Sequence, residues 1–276
     1  MLYAWSGVSL AKHSCNTAGL LLGIFEPELR IVAKRLGAPV HEALVAAAVS
    51  ALLHDAGKAA KPFQERVKKG LEPRFTCHEL VSGGVALDTA IGVLRGLGSS
   101  HYKLLGTLAG LAALRHHHAM RSPRYCEKKA REIPEVCKKQ VEALLTEIAY
   151  ECPCLQDIPI RAIRTTAATC YNPLQSMRKV IEAAKKALNE ARSQRELIVM
   201  AASTFAGALG LADYLAAAVL DGRRGDQQNP PGYAYHVLRE LEWRTGLEPG
   251  QPDTKKRLLE ISKKGLKLLE NILTIT

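Results

Sequence analysis

Several common features are missing from this 276-residue sequence. Its first ten residues contain no basic segment of the kind that opens a secretory signal, and no apolar run suggests a membrane span. The best candidate, residues 206–220, is short and carries Asp213 at its centre. We therefore expect a soluble cytoplasmic protein with no membrane as its partner.

The cysteines lack the usual zinc-knuckle spacing. There are seven, an odd number, and Cys-x-x-Cys does not occur, which argues against a secreted disulfide scaffold. Four of them lie close together in sequence: Cys126, Cys137, Cys152 and Cys154. We interpret this group mainly as buried thiols and rank a structural disulfide second and a zinc site third, because intracellular disulfides are unusual outside hyperthermophiles.

Strand-like alternation, internal repeats and low-complexity tracts are also missing, and helical spacing runs from end to end. The sequence predicts an all-α fold with helices over residues 9–23, 27–36, 40–55, 61–69, 78–97, 101–116, 135–150, 159–170 (helix or turn), 173–191, 194–220, 233–245 and 254–273. Small residues at 201–218 favour a central helix, and residues 221–226 are predicted to form a solvated loop. We divide the chain into a domain at 1–221 and a C-terminal helical extension at 222–276.

Positive charge is abundant. Lys and Arg number 38 against 27 Asp and Glu, which gives a formal net charge of +11. Such an excess favours a polyanionic partner, with nucleic acid first and an anionic membrane surface second. The alternative is a protein that is simply basic throughout.

Residues 52–58 read Leu-Leu-His-Asp-Ala-Gly-Lys and follow an apolar segment, 43–53. A helix that is apolar on all sides belongs in a core, so His54 and Asp55 should lie at the mouth of a buried element. A buried carboxylate there needs a cation, and one metal ion bound by both residues would supply it. The alternative is an Asp bonded to backbone beside a core His.

Other polar residues also interrupt apolar helices: His13, His78, the triplet His116 to His118, and Asp213. Both His13 and His78 could be exposed residues at helix starts, and at most two of the triplet can point the same way. Asp213 lies in an Ala-rich helix and needs a cation or several donors. Imidazole and carboxylate suit zinc, iron, nickel, cobalt and manganese. These residues are more ligands than one tetrahedral site uses. Two metal ions bridged by Asp55 would use all of them, and two-metal sites are suited to phosphoester hydrolysis.

The order of these motifs resembles a known family. An early His13, then His54-Asp55-x-Gly57-Lys58, then His78-Glu79-x-x-Ser82, a His-His pair and a distant Asp213 resemble the HD metal-dependent phosphohydrolase superfamily. They look most like the stand-alone CRISPR-associated HD nuclease of type I interference systems, since no Gly-x-x-x-x-Gly-Lys-Ser/Thr loop of a helicase is present. The resemblance covers roughly residues 9–220 and implies a helical bundle with a dinuclear metal site in its core.

The resemblance also implies roles for individual residues. Two divalent ions, of Mn, Ni, Co, Fe or Mg, would be held at the core. One would be bound by His13, His54, Asp55 and Asp213, and the other by the bridging Asp55, His78 and two of the triplet. We favour His116 and His117, with His117 and His118 as the competing choice. Lys58 would act with Asp55 in catalysis, near the scissile phosphate, and its alternative is a solvated helix-end Lys.

The function implied is hydrolysis of single-stranded DNA, with RNA as a further substrate, alongside a separate helicase subunit and the CRISPR effector complex. Basic residues around the motifs would form a groove that follows the phosphate backbone: Lys61, Arg66, Lys68, Lys69, Arg115, Arg121, Arg124, Lys128 and Lys129. Aromatic residues make up 5% of the chain, which limits base stacking to Phe63, Phe75 or Tyr125. The rivals are an HD phosphohydrolase of nucleotides or cyclic nucleotides, and a non-catalytic helical binding module.

Overall fold

The computed structural model describes residues 1–71, 75–117, 123–165, 170–221, 232–247, 251 and 253–275. These ranges contain twelve α-helices: α1 Leu10–Arg35, α2 Val40–Leu53, α3 Lys61–Lys68, α4 Glu79–Gly96, α5 Tyr102–Arg115, α6 Pro123–Lys129, α7 Lys138–Glu151, α8 Asp157–Thr165, α9 Pro173–Glu190, α10 Arg195–Leu215, α11 Gly232–Thr245 and α12 Thr254–Ile275. Two short antiparallel strand pairs accompany them: β1 Tyr3–Trp5 with β2 Val8–Ser9, and β3 Val136–Cys137 with β4 Cys170–Tyr171. The predicted all-α bundle is confirmed.

Helix α2 forms the centre of the bundle. All its residues from Ala43 to Leu53 are buried, and it packs against α1, α4 and α5. Because the helix is apolar on every side, surrounding it with other helices removes all of its side chains from water. Each buried Leu or Val contributes about 1.5–3 kcal/mol in this way. The end of α2 therefore delivers His54 and Asp55 into the core, as the sequence predicted.

Glycines bring α4 and α5 into close contact. A Cβ at Gly83 would lie 2.9 Å from the Cβ of Leu114, and a Cβ at Gly110 would lie 2.8 Å from the Cβ of Leu87. The two helices therefore approach backbone to backbone, with the start of α4 beside the end of α5. This arrangement places His78, which precedes α4, next to the histidines that follow α5.

One predicted break is absent. The sequence suggested separate helices at 9–23 and 27–36, but the structure has a single helix, α1, with Pro27 inside it. An interior proline costs about 3 kcal/mol. Burial of Phe25, Leu29 and Val32 on the two sides of Pro27 offsets that cost and keeps the helix continuous.

The C-terminal helix α12 packs directly on α1. A Cβ at Gly19 would lie 2.1 Å from Ser262 Oγ, and a Cβ at Gly265 would lie 2.1 Å from the carbonyl oxygen of Gly19. Each helix has a glycine at the contact, and because glycine has no side chain the two backbones can approach this closely. The predicted domain boundary at 221/222 falls at the edge of the described residues.

Helix α10 and the π-helical turn Ala216–Leu220 belong to one segment, Arg192–Leu220, which is long and apolar enough to cross a membrane by length and composition alone. The sequence predicted no membrane span here, because residues 206–220 form a short apolar run with Asp213 at its centre. In the structure α10 packs on α1 and α5, and half of the apolar window is buried. Core helices commonly have this composition, and Asp213 on α10 contacts the histidines of α1 and α2.

The interpretation of the clustered cysteines as thiols is wrong for three of the four. Disulfides join Cys15 to Cys152, Cys77 to Cys126, and Cys137 to Cys170, while Cys154 is unpaired and half-buried. None of the four clustered cysteines pairs with another. Their partners lie 137, 49 and 33 residues away, and the packing of distant elements, rather than local spacing, brings them together.

Candidate metal centre

A tight turn after α2 holds His54 and Asp55 against the start of α4. A Cβ at Gly57 would lie 2.2 Å from the carbonyl oxygen of His78, so the turn can approach α4 only without a side chain there. The Gly57 N–H donates to Ser82 Oγ over 2.9 Å, and Ser82 Oγ donates to the His78 carbonyl over 3.1 Å. The His-Asp-x-Gly-Lys and His-Glu-x-x-Ser motifs are thus fastened to each other.

The first group of ligand-type side chains consists of His13, His54, Asp55 and Asp213, whose nitrogen and oxygen atoms lie within 4.8 Å of one another. His13 Nε2 is 3.0 Å from Asp213 Oδ1 and 3.5 Å from Asp55 Oδ2. His54 Nε2 lies 3.3 Å from the same Asp213 oxygen. Three helices contribute to this group: α1, the end of α2, and α10.

The second group consists of Asp55, His78, His116 and His117, again with atoms within 4.8 Å of one another. His78 Nε2 lies 2.6 Å and His116 Nε2 3.7 Å from Asp55 Oδ1. The His117 ring centre is 5.1 Å from that of His78. Asp55 belongs to both groups, with Oδ2 towards the first and Oδ1 towards the second. The competing ligand His118 lies outside the described residues.

Hydrogen bonds fix the orientation of most of these imidazoles. In His54, His78 and His116, Nδ1 donates to the carbonyl three residues earlier in the chain, over 2.7, 2.5 and 2.7 Å. His54 and His116 can do this because each sits directly at a helix C-terminus, where carbonyls have no helical partner. With the proton on Nδ1, each Nε2 presents its lone pair to the centre, as a metal ligand requires.

Asp221 is a site residue that the sequence did not predict. It was assigned to a solvated loop, but its side chain is 1% exposed and its Oδ2 accepts from His13 Nδ1 over 2.8 Å. Asn16 donates to the other oxygen over 3.0 Å. Asp221 therefore orients His13 as backbone carbonyls orient His54, His78 and His116. A signal existed, because Asp221 directly follows the predicted helix 194–220 and lies eight residues, about two helical turns, beyond Asp213.

The buried charges shift one another's protonation. Burial alone would lower the pKa of His13, but hydrogen bonds to the carboxylates of Asp213 and Asp221 outweigh it and raise this pKa to about 9. Burial alone would raise the pKa of Asp55, but the ammonium group of Lys58 and the nearby imidazoles hold it well below its usual range. In the metal-free protein His13 therefore carries a proton that a metal ion would replace.

Lys58 lies beside the shared carboxylate, with Nζ 2.6 Å from Asp55 Oδ2. The same ammonium group lies 5.3 Å from the ring centre of Trp5 and 5.5 Å from that of Phe75. Trp5 in turn packs edge-on against His13 at 4.8 Å. Lys58 is therefore a buried residue at the centre, and the alternative of a solvated helix-end Lys is wrong.

The residues fit a metal ion because several of their buried atoms have no hydrogen bond of acceptable geometry. These atoms are Asp55 Oδ1 and Oδ2, His78 Nε2, His116 Nε2 and His117 Nδ1. Buried polar groups in native proteins are almost always satisfied, so the convergence of these atoms fits the binding of a cation. The all-nitrogen-and-oxygen donor set suits manganese, iron, cobalt, nickel and zinc. Two further clusters contain cysteines that are already paired in disulfides.

An all-helical bundle whose central helix ends in His-Asp, with two ligand groups sharing that Asp, defines the HD class of metal-binding proteins. A family model described as "Cas3, HD domain" matches residues 5–219 of this chain. The chain belongs to this family and is a CRISPR-associated HD nuclease or phosphohydrolase. A search of curated proteins found no match.

Proposed function

We propose that this protein is a metal-dependent nuclease that hydrolyses phosphodiester bonds of single-stranded DNA, and also RNA, during CRISPR interference. The observation that carries the proposal is the sharing of Asp55 by two complete, buried ligand groups. A carboxylate between two sets of imidazoles is the arrangement that two-metal phosphoester hydrolysis needs. A non-catalytic module would have no use for so many buried groups without hydrogen bonds.

One divalent ion would be held by His13, His54, Asp55 and Asp213, and a second by Asp55, His78, His116 and His117. When bound, such a pair supplies a nucleophile from water and stabilises both the attacking and the leaving oxygens of the phosphodiester. The chain's own contribution is to hold the imidazoles in the correct tautomer. It also keeps bulk water away, because all seven side chains are buried.

Lys58 is the catalytic cation of this proposal. Its ammonium group lies next to Asp55 and retains slight exposure, as do Asp213 and His117, so the opening of the site runs past these three residues. A phosphate that enters there meets Lys58 directly. We propose that the ammonium group stabilises negative charge on the phosphate as that charge develops during hydrolysis.

Basic residues next to the centre favour a polymeric substrate. Lys61, Lys68 and Lys69 are exposed around α3, the helix that directly follows the His-Asp motif, and Lys128 is exposed on α6. Of the other predicted groove residues, Arg121 lies outside the described residues. Phosphate contacts of this kind supply affinity without sequence preference. We propose that a separate helicase subunit delivers the strand, and that the protein acts in the cytoplasm.

The test is cleavage of end-labelled single-stranded DNA and RNA by the purified chain, with EDTA or with added manganese, nickel, cobalt or magnesium. We expect metal-dependent cleavage that is lost in Asp55→Ala and retained in Asp253→Ala, which changes an exposed Asp on the surface. Hydrolysis of nucleotides or cyclic nucleotides without cleavage of either polymer would instead support the rival phosphohydrolase. Absence of bound metal and of any hydrolysis would support the non-catalytic module.

A further inference from the structure

We infer that the cleft between α3 and α6 binds one nucleotide of the single-stranded substrate, next to the scissile bond. The cleft has a volume of about 520 Å³, within the usual range of ligand sites. This inference rests on the proposed nuclease function and adds a position on the protein where a base and its phosphate are held. Neither metal group contributes to its walls.

The walls combine an exposed aromatic ring with positive charge. Tyr125 is 47% exposed and lines the cleft together with Phe63 and Arg66 of α3. Arg131 and Lys129 line the same space, and Lys129 is paired with Glu132 over 3.0 Å. An aromatic ring stacks on any base, whereas guanidinium groups bind the phosphates on either side. An exposed ring between arginines is therefore suited to a nucleotide without base selection.

The cleft is connected to the metal centre through Phe75. The ring of Phe75 packs edge-on against Phe63 at 5.3 Å and lies 5.5 Å from the ammonium group of Lys58. Its carbonyl also accepts from Nδ1 of His78. The Phe75 ring thus lies in contact with Phe63, on the cleft wall, and near the ammonium group of Lys58. A strand with one phosphate beside Lys58 can place the neighbouring nucleotide in the cleft.

Other ligands fit these walls less well. An acidic peptide would use the cations but would bring no base to stack on the exposed ring of Tyr125. A free mononucleotide could use the ring and the cations together, but its phosphate would then remain in the cleft, outside the metal centre. A polynucleotide satisfies the ring, the arginines and the metal centre at once, which favours it as the occupant.

The test measures binding of a fluorescent single-stranded DNA oligonucleotide to the full chain by anisotropy in EDTA, so that cleavage plays no part. Tyr125→Ala removes the ring on which one base would stack, and this should raise Kd for the oligonucleotide roughly 5- to 150-fold. Tyr125→Phe keeps the ring and should bind like the unaltered chain. Tyr150→Ala removes a tyrosine that is 84% exposed and lies outside the cleft, so it should leave Kd unchanged.

A second readout separates this inference from the nuclease proposal. Bis(p-nitrophenyl) phosphate has a phosphodiester but no base, so its hydrolysis by the unaltered chain with added manganese tests the nuclease proposal separately from oligonucleotide binding in the cleft. An oligonucleotide carrying 5-iodouracil should crosslink to Tyr125 on irradiation. Arg131→Gln should flatten the dependence of log Kd on log salt by about 0.7, the contribution of one phosphate contact to a single strand.

Three results would overturn the inference: equal Kd for Tyr125→Ala and the unaltered chain, equal weakening by Tyr150→Ala, or no oligonucleotide binding at all. An acidic peptide that competes for Tyr125 while DNA does not would also overturn it. Failure of the nuclease proposal gives a different pattern, in which the unaltered chain hydrolyses neither DNA nor the small diester with any metal. Circular dichroism of each variant excludes misfolding as the cause, and Arg131→Gln provides an independent surface change.

Discussion

The buried contact between Asp221 and His13 should control the affinity of one metal ion and leave the other unchanged. Asp221→Ala removes the acceptor of the 2.8 Å hydrogen bond from His13 Nδ1 and leaves that nitrogen buried without a partner. A hydrogen bond to a charged group is worth about 1.5–3 kcal/mol. Loss of an orienting partner of a metal-bound histidine typically weakens metal affinity about 10- to 100-fold, which is the effect we expect here.

The structure confines this effect to one of the two ligand groups. His13 belongs to the group with His54 and Asp213, whereas the second group is oriented by carbonyl oxygens that Asp221 does not touch. Calorimetric titration of manganese into the metal-stripped protein should therefore show two binding events, with the affinity of one lowered in Asp221→Ala. Asp221→Asn keeps an oxygen that can accept from Nδ1 and should fall between the unaltered chain and Asp221→Ala.

Two results would refute this reasoning. Unchanged affinity at both sites would mean that His13 needs no orientation by Asp221, and equal weakening at both sites would mean that the variant has lost its fold. Asp253→Ala serves as the control, because it removes an exposed carboxylate far along the chain, before α12. A thermal melt of each metal-free variant separates local from global damage.

Three further changes test other parts of the centre. Lys58→Ala should lower kcat about 100-fold or more while leaving metal content unchanged, measured by turnover and elemental analysis. Gly57→Ala should destabilise the protein by about 1–3 kcal/mol, measured by urea unfolding, because the new Cβ meets the His78 carbonyl. Cys126→Ser removes the bond to Cys77 and should cost about 2–4 kcal/mol in the same measurement.

Each of these changes has a matched control of the same residue type. Lys255→Ala removes an exposed lysine at the start of α12, and its kcat should be unchanged. A Cβ at Gly207 would meet no atom within 4 Å, so Gly207→Ala should not destabilise the protein. Cys154→Ser alters a cysteine outside any disulfide. If a control behaves like its partner variant, the assigned role is wrong.

The burial of α2 and the ligand-type residues could be predicted because their signals are local, whereas the helix predicted to be central was 201–218. An apolar helix as long as residues 43–53 is expected to be buried in the core. A carboxylate such as Asp213 is unusual within an Ala-rich helix and is therefore easily recognised. Residue chemistry then suggested which side chains would converge, and the structure brings all seven of them together. Their metal-binding roles remain predictions, as does the choice of His116 and His117 within the triplet.

The errors arose where distant contacts decide the outcome. Pro27 signals a helix break locally, but the buried residues around it outweigh that signal. The disulfide partners of the clustered cysteines depend on which helices become neighbours. Asp221 looked solvated because Gly222 and Arg223 follow it, although its own side chain turns back to α1. In each case the deciding contact joins residues that no short window of sequence contains.

The second ligand group and the cleft share one covalent constraint. Cys77, directly before His78, has a φ of 60°, a conformation that costs a non-glycine residue about 1–3 kcal/mol. Its disulfide to Cys126 joins this turn to α6, where Tyr125 is the adjacent residue. The bond therefore holds a metal-ligand histidine and the stacking ring in one arrangement. Cys126→Ser, which breaks this bond and leaves the other two disulfides intact, should weaken binding of the second metal ion and of an oligonucleotide together while sparing the ion near His13. Loss of both ions at once would show that the bond supports the fold as a whole.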